Sequence, residues 1–317
     1  MNKKFLLQLP RLGTSPPAVG VGHALKNWAL GREVSYKFNM EWIVGYFEPL
    51  DKNISGSNID RGGHTPQMFL DHFGLNDMIQ NKKFNKIKRK YNLLEVPRKI
   101  KSSLEIKKYI SEKYNHYDGF LLPLQAPAVI EAKDVTDKIR KWFKDKKGEN
   151  EKSLCSRRYF NICIPIRRGD RVFIPNMRDK KDSWFLSKLE LKLKEIDSTK
   201  AIRIFIFAET YNKTWWHENQ LTNNNIPEHR KWKMSDIHPK GHWLVNDFKN
   251  KNFSKIEKIY VNHEGEPVDI EKMFSKYNAK LYLNEDIYTV LDSILDADLI
   301  IKNGACHGTG SLVNIFK

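Results

Sequence analysis

Apolar residues along this chain come in short unbroken runs, and several segments between the runs carry apolar positions at helical spacing. Phe5 to Leu9, "EWIVGYF" (41–47), "NLLEV" (92–96) and "GFLLPL" (119–124) are runs of strand length without polar alternation. That pattern predicts strands buried on both faces. Between the first two, Leu25, Trp28, Ala29, Leu30, Val34 and Phe38 form a helical stripe behind a glycine-rich turn. Thr65 and Pro66 supply an N-cap and a first helical position for a helix reaching Leu75. Lysine-rich helices are predicted over 102–114 and 132–144. The charged stretch 144–153, "KDKKGENEKS", has no apolar anchor and reads as a linker.

After it the rhythm restarts. "NICIPI" (161–166) and "IRIFIFAE" (202–209) are the strongest strands, joined by a helix over 184–196. A long polar stretch follows, then "KIYVN", a helix over 270–277, "KLYLN", a helix over 287–295 and "DLIIKN" (298–303). Strands alternating with helices call for parallel sheets with crossover connections. The expected architecture is α/β: two Rossmann-like domains, 1–150 and 151–317, with parallel sheets facing a central cleft.

Composition narrows the class. With 317 residues, 40% hydrophobic and 12% aromatic, the chain can build packed cores. The apolar run of the opening "MNKKFLLQLPRLG" is cut short by Pro10 and Arg11, so it reads as neither a secretory leader nor a membrane span. Three cysteines at uneven spacing suit a reducing compartment, and cytoplasmic residence is the expectation. A net charge of +17 favours anionic partners: a phosphorylated small molecule, nucleic acid, or peripheral contact with an anionic membrane surface. Solvated lysine on helix faces explains the same surplus.

Ligands of open α/β sheets bind beyond the carboxyl ends of the strands, and four stretches put polar residues there. Arg167, Arg168 and Asp170 follow the strand "CIPI". Guanidinium groups match phosphate oxygens with two parallel hydrogen bonds, whereas an Arg-Gly-Asp triplet is also an ordinary turn. "KNGACHGTGS" (302–311) offers glycines whose neighbouring N–H groups can converge on one anion, unless it is simply a tight turn. "GVGHALKNW" (20–28) sets His23 and Asn27 four residues apart on one helical face. Glu209 ends the strand "IRIFIFAE", where a carboxylate can accept a hydroxyl proton or cap the next helix. No histidine or cysteine spacing suggests a metal site.

Together these stretches resemble the GDP-fucose-dependent fucosyltransferase superfamily of GT-B fold, which includes α1,2-, α1,6- and protein O-fucosyltransferases. "PIRRGD" (165–170) is similar to its His-x-Arg-Arg-Gly/Thr-Asp motif, with Pro165 in place of the histidine. "IFIFAE" resembles the second strand motif, and "LNEDIYTVLDSILDADLIIKNGACHG" (283–308) the third, with Asn303 to Gly308 replacing a serine-rich turn. "GVGHALKNWALGREVSYKFNMEWIV" resembles the opening Gly-x-Gly-His-x-x-x-Asn-Trp segment. The resemblance implies that Arg167 binds the β-phosphate of a GDP-sugar, probed first as GDP-fucose, with Arg168 in support. It implies that Asn303, Ala305, Cys306 and His307 meet the diphosphate, that Asp286 contacts guanosine, and that His23 and Asn27 line the cleft. Glu209 and Asp170 are the candidates for general base.

The implied reaction is inverting transfer to a hydroxyl of a glycan or glycoconjugate, without metal and without nucleic acid as partner. Two alternatives stand beside it. The changed histidine and serine turn suit a catalytically degenerate GDP-sugar or glycan-binding protein. The basic charge and aromatic residues suit a nucleic-acid binder, which lacks any RRM-like, KH or helix-turn-helix pattern.

Overall fold

The structure is a computed structural model, and it describes residues 4–8, 21–45, 70–97, 100, 102–123, 135–167, 180–209, 258–262, 266–302, 313 and 315–316. For 21–24, 167 and 209 it describes the backbone alone. The chain divides into two compact units, Met1–Glu149 with Gly310–Lys317, and Asn150–Thr309. Each holds a four-stranded, all-parallel sheet. The expected α/β class with parallel sheets is therefore what the chain adopts.

In the first unit, β1 (Phe5–Gln8), β2 (Glu41–Val44), β3 (Leu93–Glu95) and β4 (Gly119–Leu122) lie in the order β2-β1-β4-β3. Phe5 stands opposite both Glu41 and Gly119. A Cβ at Gly119 would overlap the carbonyl oxygen of Phe5, so this strand start tolerates only glycine. Leu6, Leu7, Ile43, Val44, Phe120 and Leu122 have no exposed surface, as the unalternating runs require. Helix α1 (Val21–Lys37) covers the sheet through Leu25, Trp28, Ala29 and Val34. Trp28 meets Trp42 edge-to-face at 5.7 Å, and Trp42 meets Trp142 at 5.7 Å.

Helix α2 (Asn81–Lys90) was not among the expected elements, because its lysines read as a solvated charge run. Its Phe84 and Ile87, one turn apart, pack on Phe5, Leu7 and Ile43 while Lys82, Lys86 and Arg89 face water. Helix α3 (Ser103–Lys113) is capped by Ser102, whose Oγ accepts from Glu105 N–H at 3.1 Å. Helix α4 (Asp137–Lys147) buries Ile139 and Phe143 and ends at Gly148, with φ at +70°. Phe316 meets the Phe73 ring at a tilt at 5.6 Å and the Phe143 ring edge-on at 5.7 Å, so the last described residues return to the first unit. The predicted helix start at Thr65 and Pro66 lies outside the described residues; Leu70, Phe73 and Leu75 at its end are buried.

The second unit contains β5 (Phe160–Arg167), α5 (Asp182–Leu193), β6 (Ile202–Glu209), α6 (Ile270–Met273), β7 (Lys280–Leu283), α7 (Ile287–Asp296) and β8 (Leu299–Ile300). Its strand order is β7-β6-β5-β8. Ile162, Ile164, Ile166, Ile204 and Ile206 form one face with Phe185, Leu189, Ile270 and Phe274. β5 and β6 match over eight pairs, from Phe160–Ile202 to Arg167–Glu209. Pro165 sits inside this ladder without breaking it. Asn161 and Cys163 turn their carbonyls toward the β8 side, accepting from Asp298 and Ile301 at 2.9 Å. Alternation turns Pro165 the same way, beyond the two-residue pairing with β8, so its missing N–H removes no β6 bond.

Two expectations change. "KIYVN" is not a strand of the sheet: Val261 makes an isolated antiparallel bridge to Pro267, and Asn262 N–H bonds Glu266 at 2.8 Å. The local fold-back uses backbone groups that a sheet strand would need. The stretch read as a linker does hold the boundary between the two units, after Glu149, but it is helical to Lys147, and from Asn150 onward it is anchored to α7. Lys152 N–H donates to Asp292 at 3.1 Å and Leu154 N–H to Ser293 Oγ at 2.9 Å. Among the described residues, no helix is long and apolar enough to cross a membrane.

Candidate functional site at the carboxyl edge of the second sheet

The order β7-β6-β5-β8 contains a reversal. From β5 the chain steps to β6 and β7 on one side, then returns to place β8 on the other side of β5. Neighbouring strands whose connections leave in opposite directions open a crevice at their carboxyl ends, where ligands of open α/β sheets bind. Here the strand order reverses between β5 and β8. Arg167 is the last residue of β5. Lys302, two residues past β8, leads into the glycine-containing stretch. Arg168 and Asp170, and Asn303, Ala305, Cys306 and His307, lie outside the described residues.

Glu209 is the last residue of β6 and the register partner of Arg167. Two strand-end residues of opposite charge are thus neighbours along the carboxyl edge, although 42 positions separate them in the chain. Asp286 is at the same edge, because it opens the helix that follows β7. Its Oδ2 accepts from Thr289 N–H at 3.1 Å and Thr289 Oγ1 at 3.3 Å, and pairs with Lys152 Nζ at 3.2 Å. Capping and ion pairing are its visible work.

His23 and Asn27 belong to the first unit, on the opening turns of α1. That helix follows β1, so its start lies at the carboxyl edge of the first sheet. Asn27 is buried, and its carbonyl accepts from Gln8 Nε2 at 2.5 Å. Burial lowers the pKa of Lys26 and of Arg32 on the same helix, and the Arg32 guanidinium lies 5.0 Å from the Trp142 ring. The first unit carries 28 Lys/Arg against 16 Asp/Glu and the second 27 against 22, so the positive surplus is concentrated in the first.

Sequence reasoning missed the anchoring of 152–155 on α7, centred on buried Ser293, whose Oγ donates to Thr289 O at 2.7 Å. The signal was present as "SLCS" facing "LDSILD", two short polar-apolar stretches with no local reason to be paired. Compared with known proteins, the chain matches no family model and no curated sequence.

Proposed function

We propose that the protein is a metal-independent inverting glycosyltransferase of GT-B type, taking a GDP-sugar, with GDP-fucose the first donor to test, and transferring the sugar to a glycan or glycoconjugate hydroxyl. One observation carries this reading: the strand order of the second sheet makes β5 and β8 neighbours at a reversal point, with both carboxyl ends at one edge and Arg167 four residues beyond the Cys163–Ile300 pair. The two stretches picked out for anion chemistry, Arg167–Asp170 and the residues after Lys302, leave from those two ends. A departing nucleoside diphosphate needs its developing charge met by fixed donors. An arginine on one strand end and glycine-flanked N–H groups on the next would supply them. Glu209, in register with Arg167, is the candidate to accept the acceptor's proton.

Differential thermal shift against GDP-, UDP-, CMP- and dTDP-sugars tests the donor, since a ligand stabilises in proportion to its binding. GDP-sugars are expected to raise the midpoint and the others to leave it unchanged. Turnover against a glycan panel tests the transfer. A second reading keeps GDP-sugar binding and drops catalysis, motivated by Pro165 at the position of the family's histidine. A GDP-dependent shift without turnover on any acceptor would select it. Absence of any nucleotide shift would remove both.

A further inference from the structure

Two thiols of the second unit meet at a single acceptor. Cys163 lies within β5 with no exposed surface, and Cys155 is partly exposed in the segment ahead of that strand. Both donate to the carbonyl of Ser293 in α7, Cys155 Sγ at 3.3 Å and Cys163 Sγ at 3.4 Å. The two sulfurs are also within hydrogen-bond reach of each other, so either S–H can turn from that carbonyl to the other sulfur. We propose that Cys155 and Cys163 form a redox-modification site, closed to a disulfide by a peroxide and reopened by a thiol reductant. This inference is independent of the proposed transferase activity.

The roles of the two cysteines follow from their surroundings. The thiolate is the reactive form, and it must be reached by the oxidant. Only Cys155 meets both requirements. Its pKa is lowered first by the hydrogen bond with Cys163 and then by that with Ser153, against burial and the carboxylates of Asp296 and Asp298. The Cys155 thiolate attacks one peroxide oxygen; the O–O bond breaks, hydroxide leaves, and Cys155 becomes a sulfenic acid. The proton that Cys155 released converts that hydroxide to water. Cys163 sulfur then attacks the Cys155 sulfur. An S–S bond forms, the S–O bond breaks, and the hydroxyl departs as water with the Cys163 proton. Two thiols lose two electrons and one peroxide becomes two waters. A thiol reductant reverses the step by exchange.

The fold suits the closure. Two sulfurs sharing one acceptor need only a short approach to reach the ~2.05 Å of an S–S bond. Cys155 can make it, because residues 152–156 belong to no helix or strand. The Ser293 carbonyl would lose both thiol donors yet keep the Ala297 N–H at 2.9 Å. The disulfide would fasten the segment that opens the second unit to the strand that ends at Arg167.

Tryptic mapping tests the proposal directly. Cleavage after Lys152, Arg157, Arg158 and Arg167 places Cys155 in peptide 153–157 and Cys163 in peptide 159–167. Folded protein is treated with hydrogen peroxide, alkylated under denaturing conditions without reductant, and digested. The expected product is the cross-linked peptide pair, about 2 Da below the sum of the two thiol peptides and abolished by dithiothreitol. Cys155→Ser should lose the cross-link and leave Cys163 fully alkylated. Cys163→Ala should accumulate a dimedone adduct on Cys155 that the wild type does not; if that variant fails to fold, the wild type and Cys155→Ser decide. Oxidation of Cys155 to sulfinic or sulfonic acid beside an intact Cys163 thiol would overturn the proposal. So would oxidation confined to Cys306, or a cross-link formed only after unfolding in urea.

Discussion

Gln8 and Arg167 hold equivalent places in the two units. Each ends an interior strand of a parallel sheet, β1 in one and β5 in the other. Gln8 is buried, and its amide is used at both ends: Nε2 donates to Asn27 O at 2.5 Å, and Oε1 accepts from Trp42 Nε1 at 2.8 Å. Gly31 makes room for it, since a Cβ there would overlap Gln8 Oε1. The fold spends this strand end on its own cohesion. At the other strand end the chain sets an arginine, then a second arginine, a glycine and an aspartate, with a carboxylate residue as register partner. A polar residue at the carboxyl end of a strand is therefore no sign of a site in itself; what matters is whether the fold supplies its partners.

That contrast can be broken in order of effect. Arg167→Ala is expected to lower transfer or donor hydrolysis by ~10²–10³, as for loss of a fixed oxyanion donor, with an unchanged melting temperature. Wild-type turnover in this variant would sink the assignment. Gln8→Leu should do the reverse. It leaves the buried Trp42 indole N–H without its acceptor, at a cost of about 1–3 kcal/mol in urea unfolding. An equal loss of nucleotide-induced thermal shift would mean that the two strand ends are not different in kind. Asp286→Ala removes the cap of α7, for about 1 kcal/mol. A loss of GDP affinity larger than the loss of stability would support the guanosine contact implied by the family resemblance.

The smallest effect concerns reactivity rather than stability. A lowered pKa means that Cys155 ionises at lower pH, so iodoacetamide alkylation of Cys155 should reach half its plateau at a lower pH than that of an unperturbed thiol in an unfolded peptide of the same sequence. Cys163→Ala removes the leading cause of that shift and should move the midpoint upward. A midpoint unaffected by the substitution would show that the second thiol does not stabilise the first.

Much of the fold was legible because its signals are local. "IRIFIFAE" is β6 residue for residue, and the runs at Phe5, Glu41, Gly119 and Lys280 each mark a strand. The misses have local reasons as well. Helix α2 buries only Phe84 and Ile87 in ten residues, too thin a stripe to stand out among six basic side chains. "KIYVN" is apolar enough for a strand, yet its backbone groups are satisfied by its own fold-back. At the candidate site, the sequence points to Arg167 and Glu209 separately, each at the end of an apolar run. Their adjacency could not be read, since nothing near either residue names the other.

What this chain's residues decide on their own is which segments are strands and helices, because an unbroken apolar run or a 3.6-residue stripe is a property of neighbours along the backbone. Which strand lies beside which, in what register and with what reversal, depends on contacts between segments far apart in sequence. Those pairings are chosen by how the buried faces pack, and only the folded sheet brings β8 back beside β5. The thiol pair obeys the same rule. Cys155 and Cys163 look unrelated until α7 lays one carbonyl between them.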